Sequence, residues 1–497
     1  MFESIESNIY SSPGGIYIER LDKSLRQFLD PEKGKISRAG KDILVEIDRD
    51  QVEAVLKELS QNPELSLNIL KNARIIWEHG KSYLVCEITA GEYDNAVILK
   101  TGFSGNTSLD AITGSISKYY RTPAPNAIQE DIQERKYDLE LPGYMLAGLA
   151  GFDLGLSLDE GIIESAFIST APLKTLRRDF FKGLEIDQLI SYMGRFDHNA
   201  GIFPELAFCR GIESLLHMEV PRRAEYLRII MSELFRITSH LGLLSRLSEM
   251  VGHDMAANIL MIQRENLLGL IELVTGARVI PNFIRIGGVS SRVGSDVLKK
   301  IKRAAAPFIK EFGRVEKMLM ADFALIEKLK GLGIIGREQA AAWGLTGPNL
   351  RASGPRYDLR KEPGHGVYSD IHFTIPYARG GSCLERIDIR IKEIYQSVRI
   401  IGQAINNIPA GPAIKRINLA HLDFEPCYFT SSVECPHGLF KIFAGVEGRM
   451  IKAFTVMGPS VPAISAAEKL LEKNTVDDIE VILTSLDISG GEVLDYV

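Results

Sequence analysis

The sequence has few cysteines, no excess of basic residues and no long apolar run, and each shortage excludes a class of protein. Its 497 residues include five cysteines, an odd number, and no two of them are spaced CxxC. A disulfide framework is therefore not expected, and scattered thiols are typical of a reducing compartment. The formal net charge is -6 without a basic stripe, which argues against nucleic-acid binding.

Membrane-crossing and export signals are also missing. No uninterrupted apolar stretch reaches the roughly 18 residues that a membrane-spanning helix requires. The first 15 residues, MFESIESNIYSSPGG, are acidic and polar, so they do not resemble a signal peptide. The protein is therefore expected to be soluble, or peripheral to a membrane through partners.

What is present is the composition of a large globular protein. Hydrophobic residues make up 45% and charged residues 25% of the chain, and its length favours more than one domain. Residues 43–100 show the order strand, helix, strand, strand of a small α+β unit. Residues 121–137 are polar and contain two prolines, as a connector would. We predict domains at 1–120 and 145–497, joined by a connector at 121–144.

The second domain is predicted to be a helical bundle with β hairpins at its ends. Residues 148–169 alternate around an acidic turn, which favours a hairpin. An amphipathic helix begins at Pro221, and a largely apolar helix at 255–275 is expected to be buried. Further helices are predicted at 294–330 and 384–406.

The end of the chain adds a loop and a second hairpin. Residues 347–361 are rich in Gly, Pro and Arg and predict a long ordered loop. Residues 438–448, GLFKIFAGVEG, predict a hairpin turned between Gly445 and Gly448. The overall class is α+β, with a small N-terminal α+β domain followed by a large helical-bundle domain with flanking hairpins.

Isolated motifs carry little functional information. GLGIIG at 331–336 has phosphate-loop spacing without the following Lys-Ser/Thr, which favours a turn between helices. His217 and His240 lack Cys, Asp or Glu at ligand spacing, so we interpret both as structural. Paired charges at Arg264 and Glu265 indicate either solvent contact or an internal network or interface.

Four basic residues crowd one loop and could hold carboxylates or a neighbouring subunit's backbone. They are Arg351, Arg356, Arg360 and Lys361.

Several segments together resemble the hydrogenase-like large subunit of respiratory complex I, a relative of the large subunits of nickel-iron hydrogenases. The resemblance runs in collinear order over about 145–497. It is carried by LRIIMSELFRITSHL (227–241), 264–289, GPNLRASGPRYDLRK (347–361), QSVRIIGQAINNIPAGP (396–412), VECPHG (433–438) and SLDISGGEV (485–493). The resemblance implies a hydrogenase large-subunit-like fold.

The N-terminal unit has a resemblance of its own. It resembles the smaller complex I protein that neighbours the large subunit and is fused to it in some members of the family. The likeness rests on NPELSLNIL (62–70) and QERKYDLE (133–140). It implies that two neighbouring components of complex I are joined in one chain.

The hydrogenase branch of this resemblance is not expected to apply. Hydrogenases hold nickel and iron through two CxxC pairs, since thiolates suit these soft metals. The early pair would fall at 195–202 and the late pair at 485–491, and neither stretch contains a cysteine. We therefore predict no metal bound by this chain.

The complex I branch implies a quinone site with two departures. Quinone is held in that family by a histidine in the first hairpin and by a tyrosine in a DRxDY motif. The motif here is GRFDH at 194–198, so Arg195 and Asp197 match while His198 replaces the tyrosine. The hairpin stretch MLAGLAGF has no histidine. We predict His198 as a proton donor, with Asp197 and Arg195 as the other catalytic residues.

The resemblance also implies a basic residue beside a partner's iron-sulfur cluster. The candidates are Lys174, Arg177 and Arg178, and the sequence alone does not choose between them. A cation there would stabilise the reduced cluster.

The expected function follows from the resemblance. The chain would be a peripheral-arm component of a complex I-like membrane oxidoreductase, on the cytoplasmic side of the membrane. Its partners would be a small iron-sulfur subunit, a membrane subunit and other peripheral-arm subunits. It would form the cavity for a quinone or other acceptor and couple electron transfer to ion translocation. The alternative is a non-catalytic structural or assembly subunit of a hydrogenase-related membrane complex.

Overall fold

The computed structural model describes most of the large domain and the elements of the small one. The described residues are 34–39, 42–48, 51–61, 69–78, 81–89, 96–103, 138–145, 151–169 and 180–493.

The described residues of the N-terminal unit form a mixed sheet and a helix. Its five strands are β1 (Gly34–Ala39), β2 (Asp42–Ile47), β3 (Ile69–Glu78), β4 (Lys81–Thr89) and β5 (Ala96–Phe103). They lie in the order β1-β2-β5-β4-β3, with β2 parallel to β5 and the other neighbours antiparallel. Helix α1 (Val52–Gln61) follows β2. The predicted order of strand, helix, strand and strand is confirmed.

A three-stranded antiparallel sheet opens the next part of the chain. It consists of β6 (Leu139–Met145), β7 (Gly151–Asp159) and β8 (Ile162–Ser169). The predicted acidic turn joins β7 to β8, and Glu160 and Gly161 adopt positive φ there. Residues 139–144 of the predicted connector thus form a strand, while 121–137 lie outside the described residues. The domain boundary itself remains a prediction.

Helices form the bulk of the large domain. They are α2 (Ile186–Met193), α3 (Ile202–Leu215), α4 (Arg222–Met250), α5 (Asp254–Thr275), α6 (Ser295–Met320), α7 (Phe323–Gly331), α8 (Arg337–Ala342), α9 (Gly347–Arg351), α10 (Cys383–Asn407), α11 (Ser460–Leu471) and α12 (Ile479–Leu486). The central helix, α4, packs against α5, α10 and α12. In the part of the chain that the structure describes, no helix is long and apolar enough to cross a membrane.

Helix α4 begins after Pro221 as predicted, but its burial differs from that of an amphipathic helix. Its polar side is buried as completely as its apolar side, and Arg228, Glu233, Arg236 and His240 are all inside the protein. Buried charges are costly unless they are paired. The spacing of hydrophobic residues therefore predicted the position of the helix. Polar partners from distant segments of the chain allow its charged face to be buried.

Helix α5 shows the opposite difference, because it was expected to be buried and has an exposed side. Leu260, Leu267 and Ile271 are buried, whereas Met255 is 69% and Ile262 58% exposed. The prediction that this helix is buried in a bundle is confirmed for one face of α5 and wrong for the other.

The C-terminal sheet contains a hairpin, but the predicted turn between Gly445 and Gly448 is wrong, because residues 439–448 form a single strand. Strands β9 (Ile284–Arg285) and β10 (Gly288–Val289) form a short pair, and β11 (Phe424–Glu434), β12 (Leu439–Gly448) and β13 (Met450–Met457) follow as an antiparallel sheet. The turn lies between Gly448 and Met450, and Gly445 pairs with Ala453 inside the strands. Leu44 of β2 packs onto this sheet.

The predicted loop at 347–361 is ordered but not irregular throughout. It begins as α9 and ends in a short 3-10 helix, Leu359–Lys361. The 331–336 stretch lies between α7 and α8, as a turn between helices would.

Candidate functional site

Two distant segments of the large domain meet inside it. Residues 194–201 connect α2 to α3, and residues 487–493 follow α12. A Cβ atom on Gly491 would lie only 2.4 Å from the carbonyl oxygen of Phe196, so the two backbones are in direct contact. These are the two stretches where the hydrogenase resemblance places the early and late cysteine pairs. The structure brings them together.

His437 lies between the two segments, in the turn from β11 to β12. Its Nε2 atom is 3.2 Å from Asp197 Oδ2, and its Nδ1 atom is 2.9 Å from Asp487 Oδ2. His437 is 2% and Asp197 1% exposed. Glu492 is buried beside them, and its carboxylate, Asp197 and His437 each offer an atom within 4.8 Å of the others. We refer to Asp197, His437, Asp487 and Glu492 as the buried cluster.

Local backbone features hold each member of the buried cluster. Asp197 Oδ1 accepts hydrogen bonds from the backbone N–H groups of Asn199 and Ala200, at 3.0 and 3.1 Å, which closes the turn before α3. Asp487 caps the C-terminus of α12 in the left-handed conformation. The turn that carries His437 contacts α9 so closely that a Cβ on Gly347 would lie 2.3 Å from Gly438 Cα.

Opposite charges compensate the burial of the cluster. Burial opposes a charge on His437, but Asp487 and Asp197 raise its pKa well above the ordinary value. Burial likewise opposes the charge on Asp487, yet His437 and Arg390 lower its pKa. Arg390 Nε is 3.6 Å from Asp487 Oδ2. His437 therefore lies between two carboxylates that favour its charged form.

Glu492 differs from the other carboxylates of the cluster. Burial raises its pKa to about 7, although His437 lowers it. Its Oε2 atom accepts hydrogen bonds from the backbone N–H and the hydroxyl of Ser460. Its Oε1 atom lies 3.8 Å from Cys435 Sγ. Glu492 thus has one oxygen fixed and one directed towards the cluster.

The structure separates the three residues predicted as catalytic. Asp197 is buried and faces His437, whereas Arg195 and His198 are exposed. Arg195 lies over the ring of Tyr192, with Cζ 5.5 Å from the ring centroid. Asp197 is therefore in contact with His437, and its catalytic role, like those of Arg195 and His198, stays a prediction. The residues predicted to lie beside a partner's iron-sulfur cluster are outside the described residues. They are Lys174, Arg177 and Arg178.

Sequence reasoning missed His437, Asp487 and Glu492. VECPHG and SLDISGGEV contributed to the resemblance only as matching segments, and the second was notable only for its missing cysteines. The available signal was the presence of acidic residues in and beside the stretches where thiolates were expected. Recognising the cluster required His437, which is about 240 residues from Asp197 in the chain.

A second buried network lies beside the cluster, along α4 and α10. Arg351 donates hydrogen bonds to Glu393 at 2.6 Å and to Glu434 at 2.7 Å. Glu393 also contacts His240 Nε2 at 3.0 Å. The structural interpretation of His240 and the expectation that Arg351 holds carboxylates are both confirmed.

The other basic residues of the 347–361 loop have two kinds of partner. Arg360 binds Asp358 at 2.6 Å and Glu233 at 3.1 Å, so it too holds carboxylates. Arg356 instead lies over the ring of Tyr377, and Lys361 over that of Phe373. The loop thus contributes two buried ion-pair anchors and two cation-π contacts.

Arg264 and Glu265 form a long ion pair, with 4.0 Å between Arg264 Nη1 and Glu265 Oε1, and each also has a partner of its own. Arg264 Nε donates to the carbonyl of Thr238 at 3.3 Å, and Glu265 pairs with Arg278 near the surface. Arg264 therefore faces the bundle and Glu265 faces solvent.

Gly491→Ala is expected to destabilise the protein by about 1–3 kcal/mol, because the new methyl group would force the two site segments apart. The neighbouring atom is a backbone carbonyl, which cannot move aside as a flexible side chain can. Chemical denaturation measures the change. Gly269→Ala on α5 is the matched control, since nothing lies within 4 Å of its added Cβ. A gain of up to about 1 kcal/mol is expected there. Equal stability of Gly491→Ala and the parent would show that the segments do not touch.

Comparisons with known proteins agree with this architecture. The family model for the 49 kDa subunit of respiratory-chain NADH dehydrogenase matches residues 251–426. A subunit of the NADH-quinone oxidoreductase of Clostridium beijerinckii is 35% identical over 310 residues, covering 62% of this chain and 83% of that protein. The corresponding subunit of Carboxydothermus hydrogenoformans is 34% identical over 309 residues, covering 62% and 84%.

A solved structure shows the same fold. It is a chain of the membrane-bound sulfane sulfur reductase, an archaeal respiratory membrane complex, with a TM-score of 0.69 and 26% identity. The match covers 73% of this chain and 100% of that one.

The fold and the convergent segments define a large subunit of a membrane-associated respiratory oxidoreductase. The chain belongs to the family of the 49 kDa subunit of respiratory-chain NADH dehydrogenase, which includes the matching subunits of bacterial NADH-quinone oxidoreductases. It is thus a subunit of a complex I-like oxidoreductase.

Proposed function

We propose that this chain forms the acceptor cavity of its complex, next to a partner subunit's iron-sulfur cluster, and couples electron delivery to ion translocation. The observation that carries the proposal is the convergence of residues 194–201 and 487–493 on a buried, charged cluster. The acceptor is a quinone or a chemically different electron acceptor. An acceptor other than a quinone is included because a structural relative is named as a sulfane sulfur reductase.

His198 is an exposed residue of the segment that carries Asp197, so it can contact an acceptor directly. It is exposed, and it occupies the motif position where the family has a tyrosine. Like tyrosine, it offers a ring-bound donor to a carbonyl or sulfur atom. Arg195 is exposed on the same short segment and supplies a positive charge. Asp197, turned inward to His437, fixes that segment on the buried cluster.

The buried ion pairs support the coupling part of the proposal. Asp487 pairs with Arg390 on α10. One turn further along that helix, Glu393 pairs with Arg351. Charges in a low-dielectric interior influence one another strongly over short distances. An electron arriving near the buried cluster would therefore shift the balance of protonated and charged groups along α10. This arrangement gives electron transfer a means of affecting distant residues.

The proposed partners follow from the same family. A small iron-sulfur subunit would supply electrons near residues 174–178, and a membrane subunit would lie beneath the cavity. The chain would sit peripherally on the cytoplasmic side of the membrane, among other peripheral-arm subunits. No cofactor is proposed for the acceptor site of this chain other than the acceptor itself.

His198→Ala in the intact complex is expected to lower the rate of electron transfer to the acceptor at least about tenfold, because it removes the donor that contacts the reduced acceptor. His198→Tyr restores the family residue and is expected to retain most of the rate. Steady-state reduction of a short-chain quinone and of polysulfide, measured separately, identifies the acceptor class.

His372→Ala is the matched control, because His372 is also exposed and bonds Gln403 only through its backbone. Its rate should equal that of the parent complex. Full electron transfer in His198→Ala would contradict the acceptor role and favour the alternative of a structural or assembly subunit. The lack of a histidine in MLAGLAGF is the observation in favour of that alternative.

A further inference from the structure

We infer that Asp197, His437 and Glu492 form a binding site for one divalent first-row transition-metal ion of the Mn²⁺, Fe²⁺ or Zn²⁺ type. This inference goes beyond the acceptor role proposed above and differs from the expectation that the chain carries no metal. It concerns a resident ion held by carboxylate and imidazole groups.

The geometry of the three side chains fits such an ion. One ligand atom from each lies within 4.8 Å of the other two, and all three residues are buried. Carboxylate oxygen and imidazole nitrogen bind Zn²⁺ at roughly 2.0–2.2 Å. Donors around one ion at those lengths are about 3–4 Å apart, so small rotations of the side chains suffice.

The polar atoms that face the centre lack satisfactory partners. Asp197 Oδ2 and His437 Nε2 are at ion-pair distance, yet neither has a hydrogen bond of good alignment within the described residues, and the same is true of His437 Nδ1 and Asp487 Oδ2. Buried polar atoms are normally hydrogen-bonded, and each exception requires an explanation. An ion between Asp197 Oδ2, His437 Nε2 and Glu492 Oε1, which accepts a long bond from Cys435 Sγ, would give the first two atoms a partner.

The surroundings resemble the outer shell of a metal site. A metal-bound histidine usually gives its other nitrogen to a carboxylate, which fixes the ring and raises its basicity. Asp487 is placed for that role, with Oδ2 2.9 Å from His437 Nδ1. Ser460 likewise holds Glu492 through Oε2. Each of these two proposed ligands is thus oriented from behind.

The donor set also selects the kind of metal. Within the described residues, the thiol that lies beside the cluster is Cys435, whose Sγ atom is 3.8 Å from Glu492 Oε1. A nickel-iron group needs several thiolates, so the residues present do not fit it. Carboxylate and imidazole favour a harder divalent ion. Asp197 lies within the stretch expected for the early cysteine pair, and Glu492 directly follows the stretch expected for the late pair.

The test compares metal content between the intact complex and its variants. Complex is purified after growth with added Mn²⁺, Fe²⁺ or Zn²⁺ and analysed by mass spectrometry for metals. The parent should contain about one ion per chain more than the Asp197→Asn, Glu492→Gln double variant. Because iron-sulfur clusters in partners are unaffected, the difference between the two complexes isolates this site. His240→Gln, another buried histidine paired with a glutamate, is the control and should keep the ion.

Two further measurements separate ligation from a structural role. Asp487→Asn should weaken the affinity of the chain for Zn²⁺ about 10–100-fold without removing a ligand. Chelator-treated parent complex should take up about one Zn²⁺ per chain when the ion is added back, and the double variant should not. Thermal unfolding of each variant establishes that it is folded.

Equal metal content in the folded double variant and the parent, under all three growth conditions, would overturn the inference. So would equal Zn²⁺ uptake by the chelator-treated parent and by the folded double variant. If the double variant lost the ion but kept normal electron transfer, the metal site would be supported and the acceptor cavity would be contradicted. Slow electron transfer in His198→Ala, with its ion retained, would support both proposals.

Discussion

Arg351→Met is expected to lower the free energy of unfolding by about 3–5 kcal/mol, the usual effect of removing one partner from a buried ion-pair network. Arg351 is fully buried and pairs with Glu393, Glu434 and Asp358. Methionine approximates its length without its charge, so three carboxylates would remain in the interior with one fewer cation. The effect is measured by chemical denaturation monitored by circular dichroism.

The reason for so large an effect is the poor solvation of the remaining carboxylates. Glu434 shows the tendency already, because burial raises its pKa even with Arg351 present. Without Arg351 some of these groups must take up protons, which costs free energy at neutral pH. The destabilisation of Arg351→Met should therefore be smaller at pH 5 than at pH 8.

Arg356→Ala provides the comparison within the same loop. Arg356 is exposed and contacts the ring of Tyr377 rather than a carboxylate. A surface cation-π contact contributes only about 0.5–1 kcal/mol, so the variant should be nearly as stable as the parent. If both variants lost similar amounts of stability, the ion pairs of Arg351 would not be the main source of its contribution.

The helices of this protein could be predicted from the sequence because their signals are local. The start of α4 at Pro221 and the apolar spacing along it depend on neighbours within a few residues. Whether a given face is buried depends on other elements, and this is where prediction failed. The polar face of α4 is buried against 3-10 turns and α10, while an apolar face of α5 is exposed.

The candidate site was predictable only in part for the same physical reason. The motif GRFDH indicated a functional segment, and Asp197 does lie in the buried cluster. The direction of each side chain was not encoded in the motif, so Asp197 and His198 were expected to act together. His437 comes from a hairpin and Asp487 from the end of α12. Only the tertiary structure places Asp197 and Asp487 on either side of one imidazole ring.

The protein is expected to lose stability steeply in acid, between about pH 4 and pH 2. Burial would raise the pKa of Asp358, but Arg360 and Arg351 lower it from 3.8 to about 2. A carboxylate whose pKa is depressed by folding contributes stability above its unfolded value, and that contribution is lost as the pH falls through the folded value. Asp358 alone accounts for about 2 kcal/mol on this basis.

Two further carboxylates act in the same direction. Burial opposes the charges of Glu233 and Glu393, yet neighbouring arginines lower the pKa of both, Arg236 for the first and Arg351 for the second. Their protonation therefore adds to the loss at low pH. Free energies of unfolding measured by urea denaturation at pH 6, 4, 3 and 2 test the total.

Asp358→Asn identifies the part of this acid sensitivity that belongs to one residue. The variant should be less stable than the parent at pH 6, and the difference should shrink as the pH falls to 2, since the parent then loses the same charge. Asp296→Asn is the control, because its side chain is 94% exposed and its removal should leave the pH profile unchanged. A constant difference between Asp358→Asn and the parent from pH 6 to pH 2 would contradict a lowered pKa at Asp358. The contribution of Asp358 would then be one of shape and hydrogen bonding, without dependence on its charge.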